Sequence, residues 1–239
     1  MATVIAQRFA KENKPYPKLQ ALIYPWLQLF NFRLPSFLDP TNLLPAGLNI
    51  RQFGLIYFGF KDKQIDELEP MLERNEHILV LKNMRETVKK FDAYFDMTLI
   101  PDEYKRRKEF YDQYEKMREE ERVYPLDKRL FDAQHIFNRD ENVRDLITKM
   151  FSLEMFPMAA DDKLMSKLPK TYFAILEWDI LRDEALLYAG RLKKLNVSVD
   201  ISFYEDIFHG CIAFDSPNMR FAKVKQITDD LVNYLRKNL

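Results

Sequence analysis

Two residues in the last third of this 239-residue sequence have the type and spacing for acid–base chemistry: Asp179 and His209. His209 sits in FYEDIFHGCI, residues 203–212, where a strand-like alternation runs into an acidic pair and then His-Gly-Cys. Asp179 closes the apolar run TYFAILEWD at 171–179. A buried carboxylate on one imidazole nitrogen fixes the tautomer and leaves the other nitrogen free to act as a base. Glu177, Asp183, Glu205 and Asp206 are competing acids close by in the sequence. Asp183 suits the charged first turn of the following helix, and Asp206 suits a loop-shaping role.

The elements that must bring such a pair together are legible in the periodicity. Residues 171–178 form an apolar strand, and RDEALLYAGRLKKL (182–195) carries a helical apolar stripe. That helix begins with Asp-Glu and ends with Lys-Lys, the order its dipole favours. VSVDISFYE (197–205) alternates as a strand, and 219–236 is an amphipathic helix. Strand–helix–strand–helix predicts a right-handed crossover and a parallel sheet. Asp179 and His209 then fall at the carboxyl ends of its last two strands, where such sheets gather reactive groups.

Further upstream, residues 1–13 read as a short amphipathic helix and KLQALIYP (18–25) as a buried strand closed by Pro25. Between 26 and 165 no second strand of that kind occurs; 49–60 and 65–74 look helical. Residues 101–122 are densely charged, with Tyr104, Tyr111, Tyr114 and Met117 on one side. Opposite charges at Glu103/Arg107 and Asp112/Lys116 support a surface helix there, either a partner-binding element or simply a solvated face.

Composition removes several function classes. Lys+Arg and Asp+Glu both number 37, so there is no basic excess of the kind a nucleic-acid binder shows. No apolar run approaches the ~18 residues that span a bilayer. The single cysteine, Cys211, forms no intrachain disulfide. The five glycines, at 47, 54, 59, 190 and 210, make neither GxGxxG nor GxxxxGK[ST]. The residues therefore call for no cofactor and no metal.

LPKTYFAILEWDILRDEALLYAGRLKKLNVSVDISFYEDIFHGCIAF (168–214) resembles the closing block of the hormone-sensitive-lipase-type α/β hydrolases, in particular the arylacetamide deacetylase and neutral cholesterol ester hydrolase group. DILRDEA and EDIFHG are the dense part of the match. PKLQALIYPWLQLFNFRLPSF (17–37) and FPMAADDKLMSKLP (156–169) are similar to two further family segments, whereas 85–145 matches weakly. Ala185 stands where the family has Gly. Asn196 stands where Gly-Val is usual, and Asn tolerates the left-handed conformation that a helix end needs. Asn196-Val197-Ser198 is incidentally a glycosylation sequon.

The resemblance implies the carboxyl-terminal part of an α/β-hydrolase fold, with about three parallel strands, flanking helices and a long cap-like helical insertion over 26–165. It assigns Asp179 as triad acid and His209 as triad base of a carboxylic-ester or arylacetamide hydrolase, the acid-then-histidine order such triads require after their serine. It also implies a small apolar ester or amide as substrate. Trp26, Phe30, Phe32, Phe37, Phe53, Tyr57 and Phe58 suit an apolar acyl pocket, and core packing accounts for them as well.

A nucleophile is not found. Ser36, Ser152, Ser166, Ser198, Ser202 and Ser216 all lack a glycine within two residues, so none forms a G-x-S-x-G elbow. No histidine is followed by an HGGG-type run, and Cys211 reads as an apolar filler. In the resembling family the elbow reads G-D-S-A-G-G-N and leads into a helix like MATVIAQRFAKEN. The expectation is that elbow, oxyanion loop and an N-terminal membrane anchor of the endoplasmic reticulum lie upstream. The chain alone is then expected to be inactive and marginally stable, with the edge of strand 19–24 unpaired. The alternative is a noncatalytic fragment or pseudoenzyme acting through protein binding by the charged helix 101–122.

Overall fold

The computed structural model describes residues 1–14, 17–42, 49–81, 85–123, 141–215 and 221–239. Three strands, β1 (Leu19–Ile23), β2 (Lys170–Trp178) and β3 (Val199–Phe208), form one parallel sheet in the order β1–β2–β3. Helix α1 (Ala2–Lys11) precedes the sheet. Helices α2 (Pro35–Leu38), α3 (Ile50–Tyr57), α4 (Asp62–Glu73), α5 (Arg85–Asp92), α6 (Lys108–Val123), α7 (Glu141–Lys149) and α8 (Asp162–Met165) lie between β1 and β2. Helix α9 (Arg182–Lys194) crosses from β2 to β3, and α10 (Ala222–Asn238) follows β3.

β2 takes the centre because both of its faces are apolar, the pattern of a strand covered by helices on each side. Phe173 and Ile175 point into a core shared with α1 and α9, through Ala6, Ala10, Leu186, Leu187 and Leu192. Tyr172, Ala174 and Leu176 point the other way, against Val224 and Ile227 of α10. Residues between β1 and β2 also hold a core of their own, with Leu55, Leu68, Leu72 and Ile147 buried together.

Several elements differ from the sequence reading for identifiable reasons. β3 runs to Phe208 rather than 205, because a bulge keeps it paired with β2: Leu176 faces Tyr204, yet Trp178 faces Phe208. Asp206 is therefore not a loop residue but the left-handed (φ 55°) member of that bulge. The charged helix starts at Lys108, not 101, because Arg107 is left-handed (φ 54°) and a separate turn covers Asp102–Tyr104. Its Tyr111 and Tyr114 are buried in the protein's own core, leaving the charged side to solvent. Asn196 is left-handed (φ 61°) at the end of α9, as an Asn in that place allows.

The seven aromatics divide between different environments instead of lining one pocket. Phe30 stacks on Phe95 and Phe156, Phe32 is buried with Leu55 and Leu68, and Phe53 and Tyr57 are exposed. Gly190 is required by a close approach. A Cβ there would lie 2.4 Å from the carbonyl oxygen of Leu99, where the inter-strand segment rests on α9.

Candidate functional site

Asp179 is the first residue past β2, and His209 the first past β3. The two side chains meet: His209 Nδ1 lies 3.0 Å from Asp179 Oδ1 and 3.1 Å from Oδ2. Asp179 is 1 % exposed, and its Oδ1 also accepts the backbone N–H of Leu181 at 2.8 Å. A carboxylate offers only acceptors, so Nδ1 carries the proton and Nε2 is left as the basic nitrogen. Among the described residues nothing hydrogen-bonds Nε2, and the imidazole is about one-fifth exposed (20%). Gly210 follows at φ 77°, a conformation that costs glycine nothing, and turns the chain into the Cys211–Phe214 turn, of which Cys211 is buried.

Two neighbours frame the imidazole. The Tyr24 ring meets it edge-on, with centroids 4.8 Å apart. Tyr24 itself is left-handed (φ 34°) at the end of β1, and its amide donates to Ala174 O at 2.9 Å. Cys211 is fully buried, and burial together with the nearby Asp179 charge pushes its thiol up to about 11. It is an inert filler and not a nucleophile.

The stretch from Asp179 to Glu184 is a hub whose acids have separate duties. Asp183 lies in the first turn of α9, as expected, but caps no backbone N–H of it: its Oδ1 accepts from Tyr111 Oη at 2.7 Å and Arg182 Nε at 3.1 Å, and its Oδ2 accepts the Ser36 amide at 2.7 Å. It thereby ties α6 and α2 to the loop that carries Asp179. Glu184 is fully buried, accepting from the Leu27 amide and from Gln28 Nε2. Burial, together with the nearby Asp179 charge, raises its carboxyl well above the usual range. Arg182 donates to Glu177 O at 2.8 Å. Glu177 and Glu205 both face Arg106, so neither competes for His209.

Two of the serines spend their hydroxyls elsewhere: Ser36 Oγ donates to Ile180 O at 2.7 Å and Ser166 Oγ to Lys163 O at 3.1 Å. Ser216 lies outside the described residues. Among the described residues no group of three or more His, Cys, Asp or Glu side chains is placed to hold a metal ion. No helix among them is long and apolar enough to cross a membrane.

A family profile described as the alpha/beta hydrolase fold matches residues 97–213, a span that includes Asp179 and His209. The chain has the alpha/beta hydrolase fold. Neutral cholesterol ester hydrolase 1 of Rattus norvegicus is 28% identical over 244 residues, covering 100% of this chain and 52% of that protein. Arylacetamide deacetylase of Bos taurus is 28% identical over 248 residues, covering 100% of this chain and 52% of that protein. Among solved structures, carboxyl esterase 2 of the mycorrhizal fungus Tuber melanosporum aligns with a TM-score of 0.46 and 18% identity, over 99% of this chain and 50% of that one. The chain spans about half the length of the curated relatives it matches. Sequence reasoning singled out its Asp179 and His209 but missed Tyr24, Arg106 and Glu184, for which the only linear signal was an aromatic or charged residue beside a strand end or helix start.

Proposed function

We propose that this chain supplies the acid and base of a serine-type carboxylic-ester hydrolase. Asp179 orients and charge-balances the imidazole, and His209 Nε2 takes the nucleophile's proton and returns it to the leaving alcohol or amine. The observation that carries this reading is a buried carboxylate on Nδ1 with Nε2 left open, at the carboxyl edge of a parallel sheet. The likeness to neutral cholesterol ester hydrolase and arylacetamide deacetylase supports an apolar ester or amide as substrate. On this reading the helices between β1 and β2, tied to the start of α9 through Tyr111 and Ser36, would cover the substrate.

No G-x-S-x-G occurs in these 239 residues, and on this reading the chain needs a serine and oxyanion donors supplied to it in order to hydrolyse an ester. The test uses the purified 239-residue chain with a fluorophosphonate probe and p-nitrophenyl butyrate. No serine adduct and no His209-dependent hydrolysis are expected. Hydrolysis should appear once a segment bearing the elbow is fused ahead of the chain, and vanish again in His209→Ala. A labelled serine in the unfused chain, or full activity of the fused His209→Ala protein, would overturn the reading.

A further inference from the structure

We propose that Glu177 is a positioning residue for His209, acting through the β-bulge of β3; the inference rests on His209 being the base. Opposite Glu177 the two strands fall out of step. Leu176 pairs with Tyr204 and Trp178 with Phe208, so Glu177 alone faces Glu205, Asp206 and Ile207. Two additional residues are thus taken up in β3 just before the histidine. In a straight pairing, Ile207 would stand beside Asp179, and His209 would lie two strand positions further on, about 6.6 Å away. Such a displacement exceeds what a hydrogen bond tolerates. The bulge therefore sets the Asp179–His209 contact.

A bulge leaves backbone groups without ladder partners and needs something else to hold it. Here the left-handed residue is Asp206 (φ 55°), and its amide donates to Glu177 Oε2 at 2.8 Å. The other carboxylate oxygen, Glu177 Oε1, lies 3.3 Å from Arg106 Nε. Arg106 also pairs with Glu205, on the other side of the bulge, and its guanidinium lies 5.2 Å from the centre of the Phe203 ring. The main chain of Glu177 is held in turn, its carbonyl accepting from the buried Arg182 at 2.8 Å. One carboxylate thus grips the irregular amide of β3 while its own strand leads two residues on to Asp179. Arg106 comes from the segment between β1 and β2, so the base's position is coupled to the docking of that segment.

The experiment is imidazole proton and nitrogen NMR on the 239-residue chain, reading the downfield resonance of the His209 proton held between Nδ1 and Asp179. Glu177→Asp keeps the charge but withdraws the carboxylate by one methylene, too far to reach the Asp206 amide; the resonance should be lost while the thermal melt stays cooperative. Glu177→Gln retains an acceptor oxygen at full reach, and the resonance should persist. A folded Glu177→Asp chain with an undiminished resonance, or its loss in Glu177→Gln, would overturn the role of Glu177. Should Glu177→Asp not fold, Glu177→Met, which fills the same space without an acceptor for the Asp206 amide, takes its place and should likewise lose the resonance. Absence of the resonance from the wild-type chain would instead remove the Asp179–His209 pairing on which the inference rests.

Discussion

Asp179 holds two donors at once, and that double use makes a sharp substitution possible. Its Oδ1 takes the Leu181 amide as well as sharing the imidazole proton with Oδ2. In Asp179→Asn the single oxygen stays on the Leu181 amide and the NH2 turns toward Nδ1, driving the imidazole proton to Nε2. In an elbow-bearing protein this variant should lose roughly 10⁴-fold in kcat with little change in thermal stability. Loss below tenfold would show that His209 does not depend on Asp179. The Asp179–His209 juxtaposition was legible because each residue ends an apolar strand. The rest of the site was not, because Glu177 matters only through a register shift and Glu184 reads as an ordinary first-turn acid. Nothing in their linear neighbours shows the bulge, or that Glu184 receives the Leu27 amide. Glu184→Ala should orphan that buried amide and one N–H of Gln28, whose other side-chain bonds to the 30–31 backbone remain, at about 1–3 kcal/mol for each, read as a lower urea midpoint.

At the scale of elements, periodicity gave all three strands and both helices that flank β3, because each buries a continuous or strictly alternating apolar face. It missed where β3 ends, because the bulge at left-handed Asp206 carries the strand on to Phe208, and where α6 begins, because Arg107 is left-handed. Neither is a glycine, so neither advertises a break. The close packing of α9 on the Leu99 segment was equally invisible, although Gly190 in mid-helix is its trace. Alanine at an exposed helical position would gain about 0.5–1 kcal/mol over glycine. Here the added Cβ meets a backbone carbonyl at 2.4 Å, which cannot rotate aside. Gly190→Ala should therefore destabilise by about 1–3 kcal/mol in denaturant unfolding, the usual cost of overpacking. A stabilised variant would show that the segment between the strands does not rest on α9.

For the whole molecule, acid stability turns on a histidine far from the site. His77 is buried between Phe32 and Phe151, its Nε2–H donating to Leu29 O (2.9 Å), and burial lowers it to about 4. The unfolded chain binds its proton near pH 6.5 and the folded chain only near 4. Stability from this group is complete above the higher value and falls through that window by roughly 1.4 kcal/mol per pH unit. Glu184 acts oppositely: its raised carboxyl makes the fold the better proton binder, so acidification relieves its burial. The His77 part is therefore read by difference, and His77→Phe should flatten the decline between pH 6.5 and 4. An unchanged slope would place the acid sensitivity elsewhere. The sheet and both of its helical faces join at one edge, where His209 must present a bare nitrogen for any hydrolytic role. The nitrogen spectrum of His209 in the intact chain, recorded with the imidazole neutral, tests that requirement directly. The proton is expected on Nδ1, shared with Asp179, with Nε2 unprotonated; a neutral imidazole carrying its proton on Nε2 would contradict the account.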